Sequence, residues 1–191
     1  MKLIYFHGFG SSAQSGTIRT LRTMLPDFEV VAPDIPVDPA DALPFLKQLC
    51  EDEQPDVVIG TSMGGMYAQQ MFGFNRICVN PAFEMSAKSK VLKVGTFEYF
   101  KPRMDGETHF TITSDIIKHH AEMESKQFDG VTDEEKIKVW GLFGSDDRQV
   151  NGEHIFRQYY DNVIHFNGEH RMSDEVIATV LIPLIRKITN S

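Results

Sequence analysis

The chain is predicted to fold as a three-layer α/β/α sandwich around a mostly parallel sheet of about six strands. Three observations predict it. Six short apolar runs are bounded by turn residues, apolar stripes of helical spacing separate most of them, and the composition over 191 residues is ordinary for a globular protein, 41% hydrophobic and 24% charged. Strands alternating with helices imply crossover connections and a parallel sheet covered on both faces. The right-handed crossover rule leaves the sandwich as the economical topology. The length suits one domain, 1–191, with an apolar core that needs no staple.

Leu3–Phe6 is the first strand, ending at His7-Gly8. Ile18, Leu21, Met24 and Leu25 recur at helical spacing, and Pro26 stops that helix. Phe28–Ala32 is the second strand. Ala42, Leu43, Leu46 and Leu49 make the next helical stripe, with Pro39 and Pro44 blurring its start. Asp56–Thr61 is the third strand, Met63–Phe72 a helix closed by Gly73, and Arg76–Asn80 the fourth strand.

After Pro81 the alternation breaks. Residues 84–130 are rich in charge and aromatics, lack a clear strand, and form an insertion that is expected to act as a lid. Within it Asp115–Phe128 is predicted to be helical, and Thr132 with Glu135 resembles a capping box just after it. Phe97, Tyr99, Phe100 and Phe110 either line a substrate pocket or form the insertion's own small core. Ile137–Phe143 then reads as a strand, Glu153–Tyr160 as a helix and Val163–Phe166 as the sixth strand. Ser173 caps a last helix carrying Ile177, Val180, Leu181, Leu184 and Ile188, which Pro183 should kink.

Charge excludes several function classes. The 27 acidic and 19 basic side chains leave a formal charge of −8, with a pI near 5.3. That balance argues against nucleic-acid partners and against anionic membrane surfaces. No apolar run approaches the roughly 18 residues that span a bilayer, and MKLIYFHGFG has no signal-peptide core. Cys50 and Cys78 are too few and too isolated for a disulfide framework or a zinc site. The adjacent pair His119-His120 does not put two ligands on one helix face as i and i+4 would. The expectation is a cytoplasmic protein without metal or organic cofactor.

The strongest chemical signal is Gly60-Thr61-Ser62-Met63-Gly64, placed between a predicted strand and a predicted helix. A nucleophile elbow needs that context, with small residues two before and two after the serine, because the turn brings their backbones together. The alternative is a glycine-rich turn in which Ser62 merely caps the helix. A serine hydroxyl is a weak nucleophile and needs a base, and a third group to orient that base. In this class of fold the partners follow the serine in the order acid, then histidine. His165 lies inside the strand VIHF, where it would face a packed layer. His170 lies just past that strand, in a loop at the C-terminal end of a parallel strand where such sheets build their sites. The acid belongs in the loop Gly144-Ser145-Asp146-Asp147-Arg148-Gln149-Val150, where spacing alone leaves both aspartates open. Two backbone donors for an oxyanion are expected from Met63, which follows the nucleophile, and from Phe9 in the loop after the first strand. His7 is expected to brace that loop.

HGFGSS, GTSMGG, VNPA, the GSDD loop and NGEH together resemble the small bacterial α/β-hydrolases of the YqiA-like esterase family. The resemblance runs from Lys2 to the last helix and is weakest across 84–130. It implies a shortened α/β-hydrolase fold and a carboxylic-ester hydrolase acting on short acyl chains, a small-molecule ester being its substrate. By motif position it carries over Ser62 as nucleophile, His170 as base and Asp147 as acid. A thioesterase or peptidase with the same triad, or a non-catalytic binding protein on the same fold, are the rival readings.

Overall fold

A computed structural model describes residues 1–87 and 91–190. Six parallel strands form one sheet: β1 Lys2–Phe6, β2 Glu29–Val31, β3 Val57–Thr61, β4 Arg76–Val79, β7 Val139–Gly144 and β8 Val163–Phe166, in the order β2-β1-β3-β4-β7-β8. Register is continuous across the centre, with Tyr5 opposite Ile59, Ile59 opposite Ile77 and Ile77 opposite Trp140. The four inner strands β1, β3, β4 and β7 are largely apolar because both faces are buried. Leu3, Tyr5, Val57, Ile59, Ile77 and Val79 face one layer, while Ile4, Phe6, Val58 and Cys78 face the other.

Against the first face pack helix α1 Gly16–Met24, through Ile18 and Leu21, and the C-terminal helical segment. That segment runs through α7 Asp174–Val176, a π-helical turn Ile177–Leu181 and α8 Ile182–Thr189. The Ser173 hydroxyl caps it by accepting from the Val176 N–H at 3.2 Å. Pro183 cannot donate the i→i−4 bond that Thr179 would accept, and the expected kink takes the form of the widened turn just before it.

The opposite face carries α2 Pro39–Glu53, α3 Met63–Ala68, α4 Ser114–Glu124 and α6 Glu153–Phe156. Asp38 starts α2 by accepting from the Ala40 N–H at 2.9 Å, so Pro39 occupies the first turn, where its missing N–H costs nothing. The predicted stripe divides: Ala42 and Leu46 are buried, whereas Leu43 and Leu49 are half-buried. Cys50 and Cys78 are buried free thiols in this layer. A short helix α5 Asp133–Lys136 is capped by Thr132, whose hydroxyl accepts from the Glu135 N–H at 3.3 Å.

The insertion departs from the expectation that it has no strand. Gly95–Glu98 (β5) and His109–Ile112 (β6) pair antiparallel as a separate two-stranded sheet, with Phe97 opposite Phe110. Charge hides this hairpin, because Thr96, Glu98, His109 and Thr111 all point to solvent while the alternate residues pack inward. Residues 88–90 of the insertion lie outside the described residues. The hairpin is fastened to the sheet's loops by hydrogen bonds. Phe100 N–H donates to Gly10 O at 2.8 Å, Ser12 Oγ to Pro102 O at 2.8 Å, and Asp34 accepts from both the Ala13 and Met104 amides.

Candidate active site

At the end of β3 the chain reverses into α3 within one residue. Ser62 holds φ 58° and ψ −119°, a region an L-residue occupies at a cost of about 1–3 kcal/mol. The glycines beside it are required by contact. A Cβ on Gly60 would lie 2.0 Å from Gly64 O, and one on Gly64 would lie 2.1 Å from Phe6 O. The turn is fixed from behind: Ser62 N–H donates to Val79 O at 2.9 Å, and Ala82 N–H returns to Ser62 O at 3.1 Å.

His170 is buried, and its Nδ1 lies 2.7 Å from Asp147 Oδ2, with both side chains nearly sealed from solvent. The other Asp147 oxygen accepts from the Gln149 and Val150 amides at 2.8 and 3.2 Å. Such a turn fixes the carboxylate independently of its bond to the histidine. Asp146 points elsewhere; it is exposed, and among the described residues its carboxylate accepts only a long bond, 3.4 Å, from the neighbouring Ser145 hydroxyl. His165 departs from expectation, since its side chain is half-exposed and pairs with Glu153 at 2.9 Å. β8 is an edge strand, where the layers covering the sheet thin out, so a residue inside VIHF reaches solvent.

Ser62 and His170 line one cavity of about 560 Å³, walled by Phe9, Phe100, Val150 and Ile177. Of the four insertion aromatics that could line a pocket, Phe100 alone lines this cavity. Phe97 and Tyr99 stack on Phe110 instead, with ring centroids at 5.7 and 4.7 Å, as part of the insertion's own core. The Met63 amide begins α3, where it has no intrahelical acceptor. Across from it runs the loop His7–Ala13. His7 is buried, accepts from the Ile35 N–H at Nε2 (3.1 Å), and therefore carries its proton on Nδ1, which donates to Gly8 O at 2.9 Å. Burial pushes the His7 pKa down to about 4, so the ring is neutral at pH 7. Because the peptide is planar and trans, fixing the Gly8 carbonyl fixes the Phe9 N–H on its other side. Among the described residues no three His, Cys, Asp or Glu side chains are grouped as a metal site would need.

The model of the uncharacterised protein family UPF0227 matches residues 2–178. This chain belongs to the UPF0227 family. The match agrees with the resemblance read from HGFGSS, GTSMGG and VNPA. Solved structures place the UPF0227 chain among the α/β-hydrolases by fold. Est1E from Butyrivibrio proteoclasticus superposes with a TM-score of 0.69 at 14% identity, covering 100% of this chain and 88% of its own. The esterase domain of a Rhodothermus marinus protein gives 0.66 at 14% identity, covering 97% and 86%. Mouse alpha/beta hydrolase domain-containing protein 10 gives 0.65 at 13% identity, covering 98% and 90%. In the UPF0227 chain Asn80 also reaches the site, a residue that sequence reasoning passed over as the end of a strand. Its signals were its place in the VNPA motif and a polar residue closing an apolar run, immediately before Pro81.

Proposed function

We propose that this UPF0227 chain is a serine hydrolase that cleaves carboxylic esters of short acyl chains through an acyl-enzyme. One observation carries the reading: a buried Asp147–His170 pair beside the cavity into which the Ser62 elbow opens. With Nδ1 engaged by Asp147, Nε2 is the nitrogen left to take the Ser62 proton. Ser62 Oγ attacks the ester carbonyl, its proton passes to Nε2, and the tetrahedral oxyanion is held by the Phe9 and Met63 amides. The C–O bond to the alcohol then breaks as His170 returns the proton to it. Water, deprotonated by His170, attacks the acyl-enzyme and releases the acid, restoring Ser62.

The cavity supports a small neutral substrate. It lies in the size range of small-molecule sites, its walls are largely apolar, and its charged lining balances, Lys101 and Arg171 against Glu84 and Asp174. Phe100 and Val91 bring the insertion to the cavity and support its role as a lid. The scheme calls for neither metal nor organic cofactor, and the partner it implies is a small-molecule ester in the cytoplasm. Two structural neighbours, an esterase domain and a hydrolase-domain protein, point the same way.

A serine-directed fluorophosphonate is expected to form one adduct, at Ser62. Hydrolysis of p-nitrophenyl esters is expected to fall by several orders of magnitude in a folded Ser62→Ala protein and to favour acetate and butyrate over long chains. A folded wild-type protein without the adduct would favour the binding-protein reading.

A further inference from the structure

The strand that ends beside the nucleophile also ends beside the other two proposed catalytic groups. Asn80 is 2% exposed and sits at φ 42°, directly after β4. Its backbone N–H donates to Leu142 O at 2.9 Å, extending the pairing of β4 with β7 by one bond. Its side chain then uses both ends of the amide. Oδ1 accepts from the Gly144 N–H at 2.9 Å, where β7 gives way to the loop carrying Asp147. Nδ2 donates to the carbonyl of His170 itself at 3.0 Å and to that of Glu169 at 3.3 Å. The two loops also bond each other directly, Ser145 N–H to Phe166 O and Asp146 N–H to Gly168 O. On either side of Asn80, Val79 O and the Ala82 N–H hold the two ends of the Ser62 peptide.

We propose that Asn80 is a positioning residue that sets Asp147 and His170 against each other and against Ser62. The inference deepens the triad reading and rests on it. The chemistry is specific to an amide. An ionised aspartate of the same shape could accept from Gly144 but could not donate to two carbonyls, and leucine could do neither. Asparagine also tolerates the left-handed backbone better than other side-chain-bearing residues. A buried amide with three partners is a rigid clamp, because any one bond broken leaves a polar group unsatisfied.

The test separates positioning from folding by counting sites. Asn80→Gly keeps the left-handed backbone and removes all three side-chain bonds; Asn80→Asp keeps the shape and removes the two donated bonds. Active Ser62 is titrated with fluorophosphonate in each folded protein, and p-nitrophenyl butyrate turnover is expressed per titrated site. We expect kcat per site to fall about 100-fold in Asn80→Gly, the scale of a misplacement near 1 Å, with KM within about twofold. Asn80→Asp is expected to lose at least about tenfold, and it decides the matter by the same measure if the glycine variant does not fold. Fewer sites with unchanged kcat per site would make Asn80 purely structural and overturn the inference. No adduct at Ser62 in the wild-type protein would overturn the triad reading, and the role of Asn80 with it.

Discussion

Asp147 and Asp146 are neighbours in sequence with opposite surroundings. In Asp147→Asn, Oδ1 can still accept from the Gln149 and Val150 amides, so the loop keeps its turn. The new Nδ2 would then meet His170 Nδ1 donor to donor, and the imidazole would have to carry its proton on the nitrogen meant for Ser62. Turnover should fall by about 10⁴, the loss seen when the equivalent acid of a serine protease is amidated, with Tm lowered by only a few degrees. Asp146→Asn should leave both kcat and Tm close to wild type, because its carboxylate is exposed and holds one long bond. Measuring kcat and Tm for both variants checks the assignment, and a larger loss for Asp146→Asn would reverse it. Ser62 and His170 are legible in the sequence because glycine spacing and strand-end position are written in residue type. The choice between the aspartates is not, since it turns on which side chain a four-residue turn points inward. Asn80 is hidden for a sharper reason. A residue before proline is steered to extended backbone, so nothing local announces φ 42°.

At the scale of elements, the β5–β6 hairpin separates two roles that aromatic composition alone leaves merged. Phe100 is 66% exposed, lines the cavity, and lies against Gly10 in the loop that carries the Phe9 amide. Phe97 and Tyr99 are spent on Phe110, which in turn meets Phe9 edge-on at 5.3 Å. Phe100→Ala is therefore expected to alter KM or acyl-chain preference with little change in Tm. Phe97→Ala and Tyr99→Ala are expected to lower stability by about 1–3 kcal/mol through the half-buried ring stack and to leave chain-length preference unchanged. Denaturant titration together with an ester panel distinguishes these outcomes, and a shifted preference in all three would return the whole aromatic group to the pocket. The six strands of the main sheet could be read to within two residues, the inner four because two-sided burial makes them largely apolar runs. The hairpin could not, because its strands bury one face only.

Across the whole molecule, two buried imidazoles make stability depend on pH. His7 and His120 are both pushed down to about 4 by burial. Among the described residues His120 has no hydrogen-bond partner at either nitrogen, with Glu124 3.9 Å away, beyond bonding reach. The unfolded chain binds protons at both histidines near pH 6.5, whereas the folded chain resists until about pH 4. Stability is thus complete above about pH 6.5 and declines between there and pH 4, by roughly 2 kcal/mol for each ring at pH 4.5. Glu124, whose carboxyl is pushed up by burial, acts in the opposite direction and offsets part of the loss. Urea midpoints at pH 7.5 and 4.5 should show the decline, and His120→Leu should flatten it; an equal decline in that variant would mean His120 is not held neutral. The sheet order has a different consequence, one of timing during synthesis. β7 and β8 are added outward from β4 in the order in which the chain is made, so the turn bearing Ser62 can be complete while the loops of Asp147 and His170 do not yet exist. On the proposed mechanism, a nascent chain holding its first four strands would already have the serine in place and no base to activate it. Such a chain would stay chemically inert toward esters until its last two strands emerge and dock.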